Sequence, residues 1–180
     1  MVNQKIAATL LAAAYTALAA PSSGCGSGSL QSGVHTVNGR EYTLTLPDNY
    51  DPNNPYRLVV GIHWWGGSMQ DVETGQTVET GVWSYYGLER LSEGSTLFAA
   101  PQGNGGAWAD PANDYPYILA MIQQIEEGAC VETDLRFSIG FSWGGSTSNG
   151  LACRSDNPFR AIAAINPAGP FACKTSLAST

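Results

Sequence analysis

Residues 140–144, Gly-Phe-Ser-Trp-Gly, set Ser142 between two glycines, each two positions away, and this is the only G-x-S-x-G in the chain. A serine hydroxyl in such a setting can attack an acyl carbonyl if a base takes its proton and hydrogen-bond donors hold the oxyanion. The glycines are needed because the sharp strand-to-helix turn that lifts the hydroxyl brings neighbouring backbone close. The competing reading is a glycine-rich turn with no chemistry. A second group, His63-Trp64-Trp65-Gly66-Gly67, ends an apolar run. If that loop lies beside Ser142, the backbone N–H of Trp143 and one from Trp64 or Trp65 form the oxyanion hole. Gly66 and Gly67 then let the loop fold tightly. His63 is expected to anchor the loop, its ring bonded to backbone, rather than to act as base. The tryptophans suit an aromatic wall for a flat aromatic acid, with ordinary core packing as the alternative. The other histidine is His35.

These residues need elements that bring them together. Alternation around Asn38-Gly39 in "HTVNGREYTLTLP" predicts a hairpin. "LVVGIHWW" reads as a strand buried on both faces, and "TLFAAPQG" and "LRFSIG" read as further strands. Helical spacing at Tyr86, Leu88 and Leu91 predicts a helix in "SYYGLERLSEG", stopped by Gly94. "DYPYILAMIQQIEEG" is the clearest helix, with Asp114 as cap, Pro116 in the first turn and Gly128 at the end. "STSNGLACRS" predicts a helix after Ser142, and "FRAIAAIN" a strand after that. Strands alternating with helices predict an α/β fold with parallel central strands. Ligands bind such sheets at the C-terminal strand ends, here the loops after Ile62, Ala100, Ile139 and Ile165.

With 180 residues, 43% hydrophobic and 13% charged, the chain can bury one core. Residues 1–20 read as a secretory signal: a short positive start, an apolar run too brief to span a membrane, and Ala17-Leu18-Ala19 as a cleavage site. A buried N-terminal helix is the alternative. Residues 21–180 then form one domain, with 24–33 a loose Gly/Ser-rich segment pinned by Cys25. Without Lys5 the formal charge moves from −7 to −8. An acidic chain with no basic cluster excludes nucleic acid and anionic membrane as expected partners. Cys25, Cys130, Cys153 and Cys173 suggest two disulfides in an oxidising compartment, with three possible pairings. Cys130 and Cys153 are expected at the same sheet edge, and Cys153 is expected to join Cys25 or Cys130. No C-x2-C pair points to zinc, and neither a metal nor a cofactor is expected.

The stretches "TLPDNYDPNNPYRLVVGIHWWGG", "ETGVWSYYGLERLSEGSTLFAAPQG", "GAWADPANDYPYILAMI", "CVETDLRFSIGFSWGG" and "LACRSDNPFRAIAAIN" resemble, in order and spacing, the secreted fungal feruloyl esterases. These are carbohydrate esterases related to polyhydroxybutyrate depolymerases and acetylxylan esterases. The resemblance covers nearly all of residues 21–180 and implies an α/β-hydrolase with Ser142 as nucleophile. It further implies extracellular hydrolysis of esters that join ferulic or related hydroxycinnamic acids to plant cell-wall sugars, or of small aryl esters. Such folds order their triad Ser, then Asp or Glu, then His, on loops after later strands. "NPAGPFACKTSLAST" holds no His, Asp or Glu. The expectation is therefore a chain truncated after the nucleophile strand and the next one, lacking the acid and His. A secreted homologue that only binds the polysaccharide or cinnamoyl group is the alternative.

Overall fold

A computed structural model describes residues 20–75 and 83–168 of the chain; residues 1–19 of the expected signal and Cys173 lie outside these residues. The hairpin forms as its turn chemistry demands. Strands β1 (Gly33–Val37) and β2 (Arg40–Thr45) pair antiparallel around Asn38 and Gly39, both with positive φ. Strands β3 (Tyr56–Ile62), β4 (Thr96–Pro101), β5 (Val131–Phe141) and β6 (Ala161–Ile165) complete a six-stranded sheet in the order β1-β2-β4-β3-β5-β6. The β4-β3-β5-β6 portion is parallel, as the near-continuous apolar runs predict.

Among the described residues three helices, α1 (Met69–Thr74), α2 (Pro111–Gly128) and α3 (Trp143–Ala152), cover the two faces. On one face Leu58, Val60 and Ile62 of β3 join Ile118, Met121, Ile122 and Ile125 of α2 and Leu151 of α3 in the larger core. On the other, Val59, Phe98, Ala100 and Ile139 meet Met69 and Val72 of α1, and Tyr85. Successive β3 side chains thus alternate between two cores, which is why the strand shows no polar face.

Several expectations need correction. Helix α2 begins at Pro111, the favoured first position, so Asp114 is not its cap and Pro116 lies inside it. Asp114 is instead buried and ion-paired with Arg40 at 2.8 Å. The helix expected in 84–94 is two short 3₁₀ segments, Ser84–Gly87 and Glu89–Leu91, because Tyr85 and Tyr86 both take left-handed backbone angles. Helix α1 was not foreseen, although Ser68 and Asp71 form a reciprocal capping box at its start.

The segment 24–33 is not loose: the Gly24, Gly26 and Leu30 N–H groups donate to the Glu126, Pro52 and Gly128 carbonyls at 2.8, 2.7 and 3.0 Å. Ser22 is buried, its hydroxyl donating to the Ala129 carbonyl and accepting from the Val131 N–H, and Pro21 bridges to Glu132. That docking carries Cys25 to Cys130, and the two form a disulfide. The expected pairing of Cys153 with either one is therefore overturned. Cys153 is not free.

Candidate active site

Ser142 is the single residue between β5 and α3, and its backbone is held off the ordinary regions at φ 54°, ψ −118°. A non-glycine residue there costs on the order of 1–3 kcal/mol and persists only when its surroundings fix it. The fixing groups are specific. The Ser142 N–H donates to the Ile165 carbonyl at the end of β6 at 3.0 Å. Its carbonyl accepts from the Ser146 and Ala168 N–H groups at 3.0 and 3.2 Å. Ser142 is half-buried, and its hydroxyl makes no hydrogen bond among the described residues.

The flanking glycines are required sterically. A Cβ at Gly144 would stand 2.1 Å from the Ile62 carbonyl oxygen, and one at Gly140 would stand 2.3 Å from the Gly144 carbonyl carbon. The helix therefore starts hard against the end of β3. Ser146, Thr147 and Ser148 continue the close approach: Ser148 shares a buried hydrogen bond with Ser138 of β5 at 2.7 Å. Small hydroxyl side chains let α3 lie near the sheet without leaving polar groups unmet.

Because Gly144 abuts Ile62 and His63, the loop after β3 borders the Ser142 turn. Trp64 to Gly67 is a tight turn, closed by Gly67 N–H to Trp64 carbonyl at 3.1 Å, with Gly66 at φ 77°. Gly66 also donates to the Gly106 carbonyl at 2.7 Å, tying the turn to the loop after β4. The Trp64 and Trp65 N–H groups make no hydrogen bond among the described residues. The Trp65 ring, 58% exposed, meets Trp143 edge-on with centroids 4.4 Å apart, so the two tryptophans lie together beside Ser142.

His63 is fully buried, with both ring nitrogens engaged. Nδ1 lies 2.7 Å from the Trp64 carbonyl, and Nε2 accepts from the Gly103 N–H at 2.9 Å. Only a neutral ring with its proton on Nδ1 satisfies both. Burial pushes its pKa below the usual histidine value, partly opposed by the Trp64 carbonyl. Trp108 donates its indole N–H to the His63 carbonyl at 2.9 Å. His35, on β1, is stacked on Tyr42 and bonded to the Gln31 carbonyl. Neither imidazole has a ring nitrogen bonded to Ser142.

Curated proteins similar to the chain include the probable feruloyl esterase C of Aspergillus niger, 45% identical over 149 residues, which are 82% of this chain and 54% of that protein. Feruloyl esterase C of Emericella nidulans is 41% identical over 170 residues, 92% of this chain and 62% of that protein. Feruloyl esterase D of Neurospora crassa is 42% identical over 166 residues, 87% and 57% respectively. The chain is thus similar over most of its length to proteins named feruloyl esterases. It spans little more than half the length of these relatives, and no family model matches it.

Solved structures show the same fold at low identity. A ferulic acid esterase from Anaeromyces mucronatus aligns with TM-score 0.56 and 16% identity, covering 77% of this chain and 58% of that one. S-formylglutathione hydrolase from Staphylococcus aureus aligns with TM-score 0.59 and 18% identity, covering 79% and 61%. The sheet of this chain, with its helices on both faces, is therefore an α/β-hydrolase sheet. Sequence reasoning missed the roles of Ile165 and Ala168 in holding the Ser142 backbone, since main-chain bonds leave no mark on residue type.

Proposed function

We propose that this chain carries the nucleophile half of a serine carboxylic ester hydrolase, with Ser142 attacking the ester carbonyl. The observation that supports this most is the strained Ser142 backbone, locked between two glycines that no side chain could replace. Strain of this kind marks functional turns in α/β-hydrolases, where it raises the hydroxyl above the sheet. The Trp143 N–H and one from Trp64 or Trp65 are the proposed oxyanion donors, with His63 anchoring the loop and Gly66 shaping it. The proposed substrates are hydroxycinnamate esters of plant cell-wall polysaccharides, or small aryl esters, in keeping with relatives named feruloyl esterases. Trp65 and Trp143 offer a flat aromatic acid a surface to lie against.

Residues 21–180 are proposed as one domain behind a secretory leader at 1–20, and the Cys25–Cys130 disulfide fits an extracellular setting. Neither histidine of the chain is placed as the base, so full activity needs an acid–base pair from outside these residues. The 180-residue chain should hydrolyse methyl ferulate at least about a thousandfold more slowly than the full-length Emericella nidulans relative. Comparison of kcat/KM for the two, and for Ser142→Ala of this chain, tests the proposal. Ordinary esterase rates that vanish in Ser142→Ala would place a base within this chain. Rates unchanged in Ser142→Ala would remove Ser142 as nucleophile.

A further inference from the structure

Ile62 ends β3 and Phe141 ends β5, and the Trp64–Gly67 turn and the Ser142 turn depart from these two strand ends. The Tyr86 hydroxyl donates to the Ile62 carbonyl at 2.7 Å, and Ile62 is paired with Gly140, next to Phe141. The same Ile62 carbonyl is the group against which Gly144 is pressed. One phenol therefore holds the end of β3, which carries the Trp64–Gly67 turn and lies against the start of α3.

The backbone around Tyr86 is arranged for this reach. Tyr85 and Tyr86 have φ values of 49° and 57°, left-handed angles that bulky residues avoid. The kink sends the two adjacent side chains to different partners. Tyr85 is fully buried against Phe98, its hydroxyl 3.0 Å from that of Thr45, on β2 and away from the site. Tyr86 turns instead to the end of β3. A helix over these residues, as their apolar spacing suggests, would lack this kink.

We propose that Tyr86 is a positioning residue, whose hydroxyl clamps the C-terminal end of β3, where Gly144 is pressed against it, and so fixes the oxyanion loop relative to Ser142. The proposal rests on the reading of Ser142 as nucleophile, and its test separates the two. Deuterium exchange is followed by mass spectrometry in the 180-residue chain and in its Tyr86→Phe and Tyr85→Phe variants. Tyr86→Phe should exchange about fivefold faster in peptides covering 62–67 and 141–146, the effect of losing one hydrogen bond. Tyr85→Phe, which removes a hydroxyl from the same kink, should leave those peptides unchanged. Equal effects in the two variants, or none in Tyr86→Phe, would overturn the clamp. A Tyr86→Phe chain that fails to fold would do the same, by making the residue a stability element.

A fluorophosphonate probe supplies the second readout. Labelling of Ser142 should slow by about tenfold or more in Tyr86→Phe, because small misplacements of reacting groups are costly. It should be unaffected in Tyr85→Phe. Labelling that persists in Ser142→Ala would remove the nucleophile reading and leave exchange alone to decide the clamp.

Discussion

Two residues at the site are defined by what their surroundings forbid. Gly144 admits no side chain because Ile62 lies against it, and His63 admits no second proton because Nε2 faces a backbone donor. The second constraint has a pH consequence. His63 titrates below its usual value of about 6.5 because burial disfavours the imidazolium. The unfolded chain thus takes up a proton at a higher pH than the folded one. The stabilisation is complete above about pH 6.5 and is lost as pH falls from there through the folded-state pKa, at up to about 1.4 kcal/mol per pH unit. His63→Gln keeps an acceptor for Gly103 without a titrating ring, so its stability should fall less over this window. Urea unfolding of both proteins at about pH 7.5 and about pH 5 checks this. Glu73 and Glu126, whose pKa values burial raises, act with the opposite sign but are common to both proteins. Equal pH dependence in the two would assign the acid sensitivity elsewhere. At this scale Ser142 and its glycines were legible because steric need leaves a fixed spacing in the sequence. Tyr86 was not, because nothing in "SYYG" signals two left-handed tyrosines.

At the scale of elements, the parallel strands and the hairpin were legible from apolar runs and the Asn-Gly turn. Helix α1 was missed because six residues give too little periodicity, and its capping box was the only signal. The start of α2 was misplaced because Asp114 resembles a cap, whereas its carboxylate is paired with Arg40, whose guanidinium also lies over the Tyr117 ring, 3.9 Å from its centroid. The cysteine pairing failed for a related reason. Cys130 could be placed at one end of the sheet, but Cys25 follows a segment whose docking depends on long-range bonds from Ser22 and Pro21. The Cys25–Cys130 bond closes a separation of 105 residues. In the chain-entropy picture a loop of that length stabilises by about 4.7 kcal/mol, so a Cys25→Ala, Cys130→Ala double variant should lose about that much in urea unfolding. A loss below about 1 kcal/mol would mean that the Ser22 hydrogen bonds already hold the segment. Peptide mapping of the unreduced protein should recover the 25–130 pair.

At the scale of the whole molecule, one end of the sheet is formed by β1 and the other by β6. On one face of β6, Ala161, Ala163 and Ile165 are exposed beside Phe141, next to the Ser142 turn. The described residues thus assemble the Ser142 turn and the loop beside it, and these define the central claim. A fluorophosphonate probe, applied over long exposure and followed by peptide mass mapping, tests that claim most directly. Oxyanion-hole donors alone retain an acceleration of about a thousandfold over water, so Ser142 should carry the label at least about a hundredfold in excess of any other serine. Ser142→Ala should carry none at that level. A label spread over the chain's serines, or one that survives Ser142→Ala, would contradict the assignment of Ser142 as the nucleophile.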